Sequence, residues 1–190
     1  MTLEQNADCR PEVIVQFARM GAAYAHVALG IENARVALLS NGSEDTKGSE
    51  TVIAYHEALA AADCGFVGNC EGNDLLMGDF DVIVCDGFTG NIALKTIEGT
   101  AKYLIGRLRN AANESKRYLL GAGLLKPAVK DIAKDLSGDA HGGAILLGLK
   151  APVLIGHGAT SATAVMNGTL ATAAAVRNGL VERIAAYIAS

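Results

Sequence analysis

The segment DVIVCDGFTGNIALKTIE, residues 81–98, changes its periodicity halfway along. Val82, Ile83, Val84 and Cys85 make a short unbroken apolar run, the pattern of a strand buried on both faces. Asp86 and a glycine-bearing turn follow, and a helical pattern is predicted from Asn91 to about Arg109. α/β proteins place their chemistry where a buried strand feeds a helix in this way. The helix start presents backbone N–H groups and a partial positive charge, both suited to phosphate or an oxyanion. Gly87 and Gly90 let the backbone approach a ligand, and Asp86, Thr89, Asn91 and Lys95 add a carboxylate, a hydroxyl, an amide and an ammonium. By itself the segment specifies an anion-handling site in an α/β protein and no more.

Working outward, Pro11 fits the first turn of a helix capped near Asp8 or Cys9, with Val13, Phe17, Met20 and Tyr24 on its apolar face and an end near Gly30. RVALLS (35–40) reads as a strand, NGSEDTKGSE (41–50) as a loop, and 50–61 as a second helix. GFVGNC (65–70) is a short strand, and EGNDLLMGDF (71–80) a loop with one helical turn. Further on, APVLIG (151–156) reads as another buried strand, running into His157. A helix over 161–178 has small residues on one face, and Gly179 is its expected C-cap before a last helix over 181–189. Strand alternating with helix predicts an α/β fold: a mainly parallel sheet of three or more strands, flanked by helices. Residues 1–190 are expected to form a single α/β domain, with a protruding basic and apolar helical hairpin around 110–135.

Composition narrows the function classes. Hydrophobic residues make up 51% of the 190, ample for a core, and the net charge of −4 gives no reason to expect nucleic acid. Cys9, Cys64, Cys70 and Cys85 lack metal-type spacing and read as reduced thiols of a cytoplasmic protein. No apolar run reaches the roughly 20 residues needed to span a bilayer, and the polar start MTLEQNADCRPE does not read as a signal peptide.

Three strand-to-loop junctions, 41–50, 86–91 and 156–161, are expected to converge on one edge of the sheet. They would gather Lys47, Glu50, Asp86, Thr89, Asn91, Lys95, His157, Thr160 and Ser161. Each has a plain structural reading too. Lys47 reads equally as a solvated lysine or as a phosphate-neutralising group. Asp86 reads as a helix-entry residue more readily than as a catalyst, Asn91 as a helix cap, and His157 as a hydrogen-bonded structural histidine. His26 and His56 read as structural or exposed, and His141 has no assignment. Basic residues cluster from 102 to 134 around YLLGAGLLKPAVK (118–130), read as an apolar tip carrying two glycines and a proline. That stretch suits a helical hairpin, a dimer contact or an interfacial membrane anchor.

The blocks CDGFTGNIALKTIEG, GFVGNCEGNDLLMGDFDVIV, FARMGAAYAHVALGIENARVALLSNGSEDTKGSE and HGGAILLGLKAPVLIGHG closely resemble the bacterial phosphate acyltransferase family of phospholipid synthesis, in collinear order from about Asn6 to the C-terminus. The resemblance implies a fold of the isocitrate/isopropylmalate dehydrogenase and phosphotransacetylase type. It implies transfer of a fatty acyl group from acyl carrier protein to inorganic phosphate by a homodimer peripherally associated with the membrane, with no metal or cofactor. Carried over position by position, it makes Lys47, Asn91 and Asp86 the catalytic candidates. Gly87, Thr89, Gly90, Lys95, Glu71 and His157 become the substrate- and phosphate-binding candidates, and Leu119, Leu120, Leu124 and Leu125 the membrane or partner contacts. The basic 102–134 region would face the acidic carrier protein.

There are departures from the family pattern. A glycine-rich DAMGGD-like motif found near the family's start has no match here, and the chain is expected to represent the family's C-terminal portion. The first loop reads NGSEDTKGSE where NIGEExxKGNE is usual, and the GHG block continues ATSATAV. Two other functions remain in view: a phosphotransacetylase-like enzyme using acyl-coenzyme A, and a non-catalytic dimerising fragment.

Overall fold

A computed structural model describes residues 7–135, 143–156 and 161–189. It is an α/β structure whose principal sheet has three parallel strands in the order β2-β1-β3. The central strand β1 (Val36–Leu39) is buried at every position, and β2 (Phe66–Cys70) and β3 (Val82–Val84) flank it. Val36 pairs with Phe66 and with Val82, so all three strands begin and end at the same two edges.

Helix α1 (Pro11–Leu29) starts with its proline in the first turn and stops where Gly30 turns left-handed, φ 73°. Its cap residue is Arg10, one or two positions after the expected Asp8 or Cys9. The buried face is Ile14, Phe17, Ala18, Ala22 and Ala25; Val13 and Met20 only skirt the core and Tyr24 is half-buried. Small residues win that face because α1 lies very close to β3: a Cβ on Gly21 would sit 2.6 Å from Val82 Cγ1. α1 also packs on α2 (Glu50–Ala60) and α6 (Leu180–Ala189), and α2 lies on β2, enclosing a core with Leu38, Tyr55, Leu59 and Val84. At the other sheet edge, Arg35 and Asp81 tie the entries of β1 and β3 together through a two-pronged ion pair.

The chain divides into two compact units. One comprises Met1–Asn91, Leu146–Val153 and Ala174–Ser190, the other Ile92–Ile145 and Leu154–Ala173. Helix α3 (Gly87–Ala112) begins in the first and continues through the second, where it is followed by α4 (Lys116–Asp135). The expected apolar tip at 118–130 is instead the interior of α4: Gly121, Gly123 and Pro127 all lie within one continuous helix. The turn falls at residues 113–115, because the Ser115 hydroxyl caps α4 by accepting the N–H of Tyr118 at 3.1 Å. Strand β5 (Val153–Ile155) does not join the parallel sheet as expected; it pairs with β4 (Ala144–Leu146) in a separate two-stranded sheet. Ser161 caps α5 (Ala162–Arg177), and Gly179, φ 57°, separates it from α6 as anticipated.

Candidate functional site

Parallel pairing brings the C-terminal ends of β1, β2 and β3 to one edge, and the chain leaves each through a polar segment. β1 leads into residues 40–49, which carry Lys47. β2 leads directly into Glu71, and β3 into Cys85, Asp86 and the start of α3. The third loop at this edge is therefore the one after β2; the 156–161 junction belongs to β5, outside this sheet. His157 and Thr160 lie outside the described residues.

The Lys47 loop is closely determined. The Lys47 N–H closes a turn on the Glu44 carbonyl at 3.0 Å, and the Ser40 hydroxyl donates to the Lys47 carbonyl at 3.2 Å. Its aliphatic stem crosses Gly42, where a Cβ would stand 2.6 Å from Lys47 Cγ, so a larger residue there would displace the stem. The residue is exposed, and among the described residues its ammonium has no carboxylate partner. Ser49 then caps α2 by accepting the Val52 N–H at 3.3 Å.

At the α3 junction the helix starts at Gly87, four residues earlier than expected, because Asp86 and not Asn91 is its cap. Asp86 Oδ1 accepts the Thr89 N–H at 2.7 Å, Oδ2 accepts the Thr89 hydroxyl at 2.9 Å, and the Asp86 carbonyl accepts the Gly90 N–H at 3.0 Å. The helix end thus holds an internal carboxylate, which takes up one of the backbone N–H groups of the helix start. Asn91 is half-buried in the second turn, and its side-chain amide makes no hydrogen bond among the described residues. Gly87 is buried, and Gly90 lies against Cys85, whose Sγ would be 3.1 Å from a Cβ there. The Glu71 N–H donates to Asp74 Oδ2 at 2.8 Å, opening the one-turn 3-10 helix Asp74–Leu76. Lys95 falls in the other compact unit, where it pairs with Glu98 at 3.2 Å.

The nearby thiols are poor nucleophiles. Burial first, and then the negative charge of Asp86, pushes Cys85 up to about 12, and burial pushes Cys70 up to about 11. Both stay protonated at neutral pH, which argues against a thiolate at this edge. Among the described residues no group of three His, Cys, Asp or Glu is arranged to hold a metal. What the edge offers is a cation on an ordered loop, an amide with open hydrogen-bonding capacity, and a capped helix start.

Asn69 escaped the sequence reading. It is the one polar side chain found buried among the described residues, and it braces the Lys47 loop from β2. Its signal was a polar residue inside an otherwise apolar strand. Leu119, Leu120, Leu124 and Leu125 are all exposed on α4, Leu124 at 85%. No helix among the described residues is long and apolar enough to cross a membrane.

Comparison with known proteins agrees with the resemblance. A phosphate acyltransferase of Geobacillus sp. (strain WCH70) is 42% identical over 179 residues, covering 94% of this chain and 54% of the relative. One of Anaeromyxobacter sp. (strain K) is 44% identical over 182 residues, 96% and 50% of the two chains. One of Enterococcus faecalis is 47% identical over 167 residues, 87% and 50%. The chain spans about half the length of the curated relatives it matches. Residues 2–183 match the family described as fatty acid synthesis protein, and the chain belongs to that family.

Proposed function

We propose that this chain carries the phosphate- and oxyanion-binding part of an acyltransferase that moves a fatty acyl group from acyl carrier protein to inorganic phosphate. The observation carrying this reading is the shared sheet edge, where the Lys47 loop, Glu71 and the Asp86–Thr89 cap leave three parallel strands side by side. Names of relatives supply the reaction class, and the residues fit its demands.

A phosphate oxygen attacks the thioester carbonyl carbon, giving a tetrahedral oxyanion. The C–S bond then breaks, the acyl phosphate forms, and the carrier thiolate leaves and takes a proton from solvent. Lys47 neutralises phosphate or the oxyanion, Asn91 donates to the oxyanion or orients phosphate, and Asp86 holds the α3 start that presents Asn91. A thiolate is a good leaving group, so the site needs no strong general acid. Basic residues of α3 and α4, among them Lys102, Arg107, Lys116 and Lys126, suit an acidic carrier protein. The exposed leucines of α4 suit a bilayer surface or a second copy in a homodimer.

The rival reading is a dimerising chain that binds without turnover. The test is to incubate the purified chain with acyl carrier protein thioester and phosphate and to follow acyl phosphate and released thiol. Turnover supports the proposal. Turnover with coenzyme A thioester alone replaces it with a phosphotransacetylase-like reaction, and a folded dimer inert to both supports the rival.

A further inference from the structure

The Glu44 carbonyl accepts two hydrogen bonds. One comes from the Lys47 N–H at 3.0 Å and closes the turn; the other comes from Asn69 Nδ2 at 2.9 Å, across from β2. The far end of the same amide, Asn69 Oδ1, lies 2.9 Å from His56 Nδ1 on α2. The Glu44 carbonyl can only accept, so it fixes which way the Asn69 amide faces; the amide oxygen then faces His56, and Nδ1 carries the hydrogen between them. His56 Nε2 reaches back to Asp45 Oδ1 at 3.5 Å, and the edge of Phe66 meets the ring at 5.1 Å. Asn69, itself held by His56, thus grips Glu44, the residue that opens the turn ending in Lys47.

We infer that Asn69 and His56 are positioning residues for Lys47, holding its turn in the geometry that receives the phosphate oxyanion; this rests on the function proposed above. Asn69 is buried with both ends of its amide satisfied, an arrangement that tolerates one orientation only. A turn held by an exposed backbone bond alone would open readily. The clasp lets an exposed lysine sit on a preorganised loop, so that binding an anion does not first require ordering it.

Hydrogen exchange of the full chain, with phosphate binding by calorimetry, tests the inference. Asn69→Asp keeps shape and the His56 contact but turns an acceptor toward the Glu44 carbonyl. It should speed exchange of amides 43–48 roughly tenfold and weaken inorganic phosphate binding about as much, through loss of one buried hydrogen bond. Amides of Val36–Leu39 should exchange as in wild type, reporting an intact fold. His56→Phe should reproduce the loss, and His56→Asn, which restores an N–H toward Asn69, should return both readouts to within about twofold of wild type. If Asn69→Asp does not fold, the His56 pair decides. Unchanged exchange at 43–48 overturns the clasp, and faster exchange with undiminished phosphate affinity overturns its role in positioning Lys47. A wild-type chain that binds no phosphate defeats the proposed function and the positioning role with it, and exchange then reports only whether the clasp exists.

Discussion

Asp86 spends both carboxylate oxygens on one residue, accepting the Thr89 N–H at 2.7 Å and the Thr89 hydroxyl at 2.9 Å. A carboxylate so engaged is a helix cap before it is a base. Asp86→Ala should lower stability by about 1 kcal/mol, the usual cost of a lost cap, read as a lower denaturant midpoint. Asp86→Asn keeps an acceptor for the N–H and should retain most of any turnover. A loss of roughly a hundredfold or more in a folded Asp86→Asn chain would instead mark Asp86 as a general base.

Lys47 and Asn91 present the opposite case, with side chains that no described partner claims. Replacing either by Ala removes little from the fold, so unfolding midpoints should stay within about 0.5 kcal/mol of wild type. Phosphate binding and turnover should fall by a factor on the order of a hundred or more, the scale for removing one oxyanion-stabilising group. Undiminished turnover in both variants would remove them from the site.

How much of this was legible beforehand differs by element. The three strands of the main sheet and their parallel direction were legible because unbroken apolar runs such as Val82–Val84, alternating with helices, allow little else. The start of α3 was missed by four residues because an aspartate before a glycine reads equally as turn and as cap; only the Thr89 contact distinguishes them. Gly121, Gly123 and Pro127 suggested a tip, yet they lie in a helix whose cap, Ser115, sits upstream. β5 looked like a further strand of the same sheet because apolar content records burial and not the partner strand. In the site, the strand-to-loop junctions gathered Lys47 and Asn91 with other polar residues, and the family resemblance singled them out. The bracing by Asn69 and His56 is tertiary, joining residues from β2, α2 and a loop, and no local pattern announces it.

Leu124 is 85% exposed on α4, with Leu120 beside it at 74%. If these side chains enter a lipid surface, Leu124→Glu should weaken sedimentation with anionic phospholipid vesicles about tenfold, since burying one leucine is worth about 1.5–3 kcal/mol. Unchanged vesicle binding alongside a shift from dimer to monomer in analytical ultracentrifugation would assign the leucines to a protein contact.

The Arg35–Asp81 pair sets a pH dependence whose direction follows from its geometry. Arg35 Nε lies 3.0 Å from Oδ2 and Nη2 3.2 Å from Oδ1, while the Arg35 backbone N–H also donates to Oδ2 at 2.8 Å. These hydrogen bonds, and then the guanidinium charge, hold the Asp81 carboxyl below its ordinary value. A carboxyl depressed in the folded state stabilises it above the unfolded value of about 3.9, and that contribution fades as pH falls through the lowered one. Asp81→Asn should therefore unfold at lower urea than wild type at pH 7. The gap should close as pH falls through the lowered value and wild-type Asp81 is itself protonated. Because the pair is solvent-facing, added salt should also narrow the gap at pH 7. A gap that stays constant across the acid range and in high salt would mean that Asp81 acts through side-chain packing and hydrogen-bond geometry that Asn does not reproduce, and not through charge.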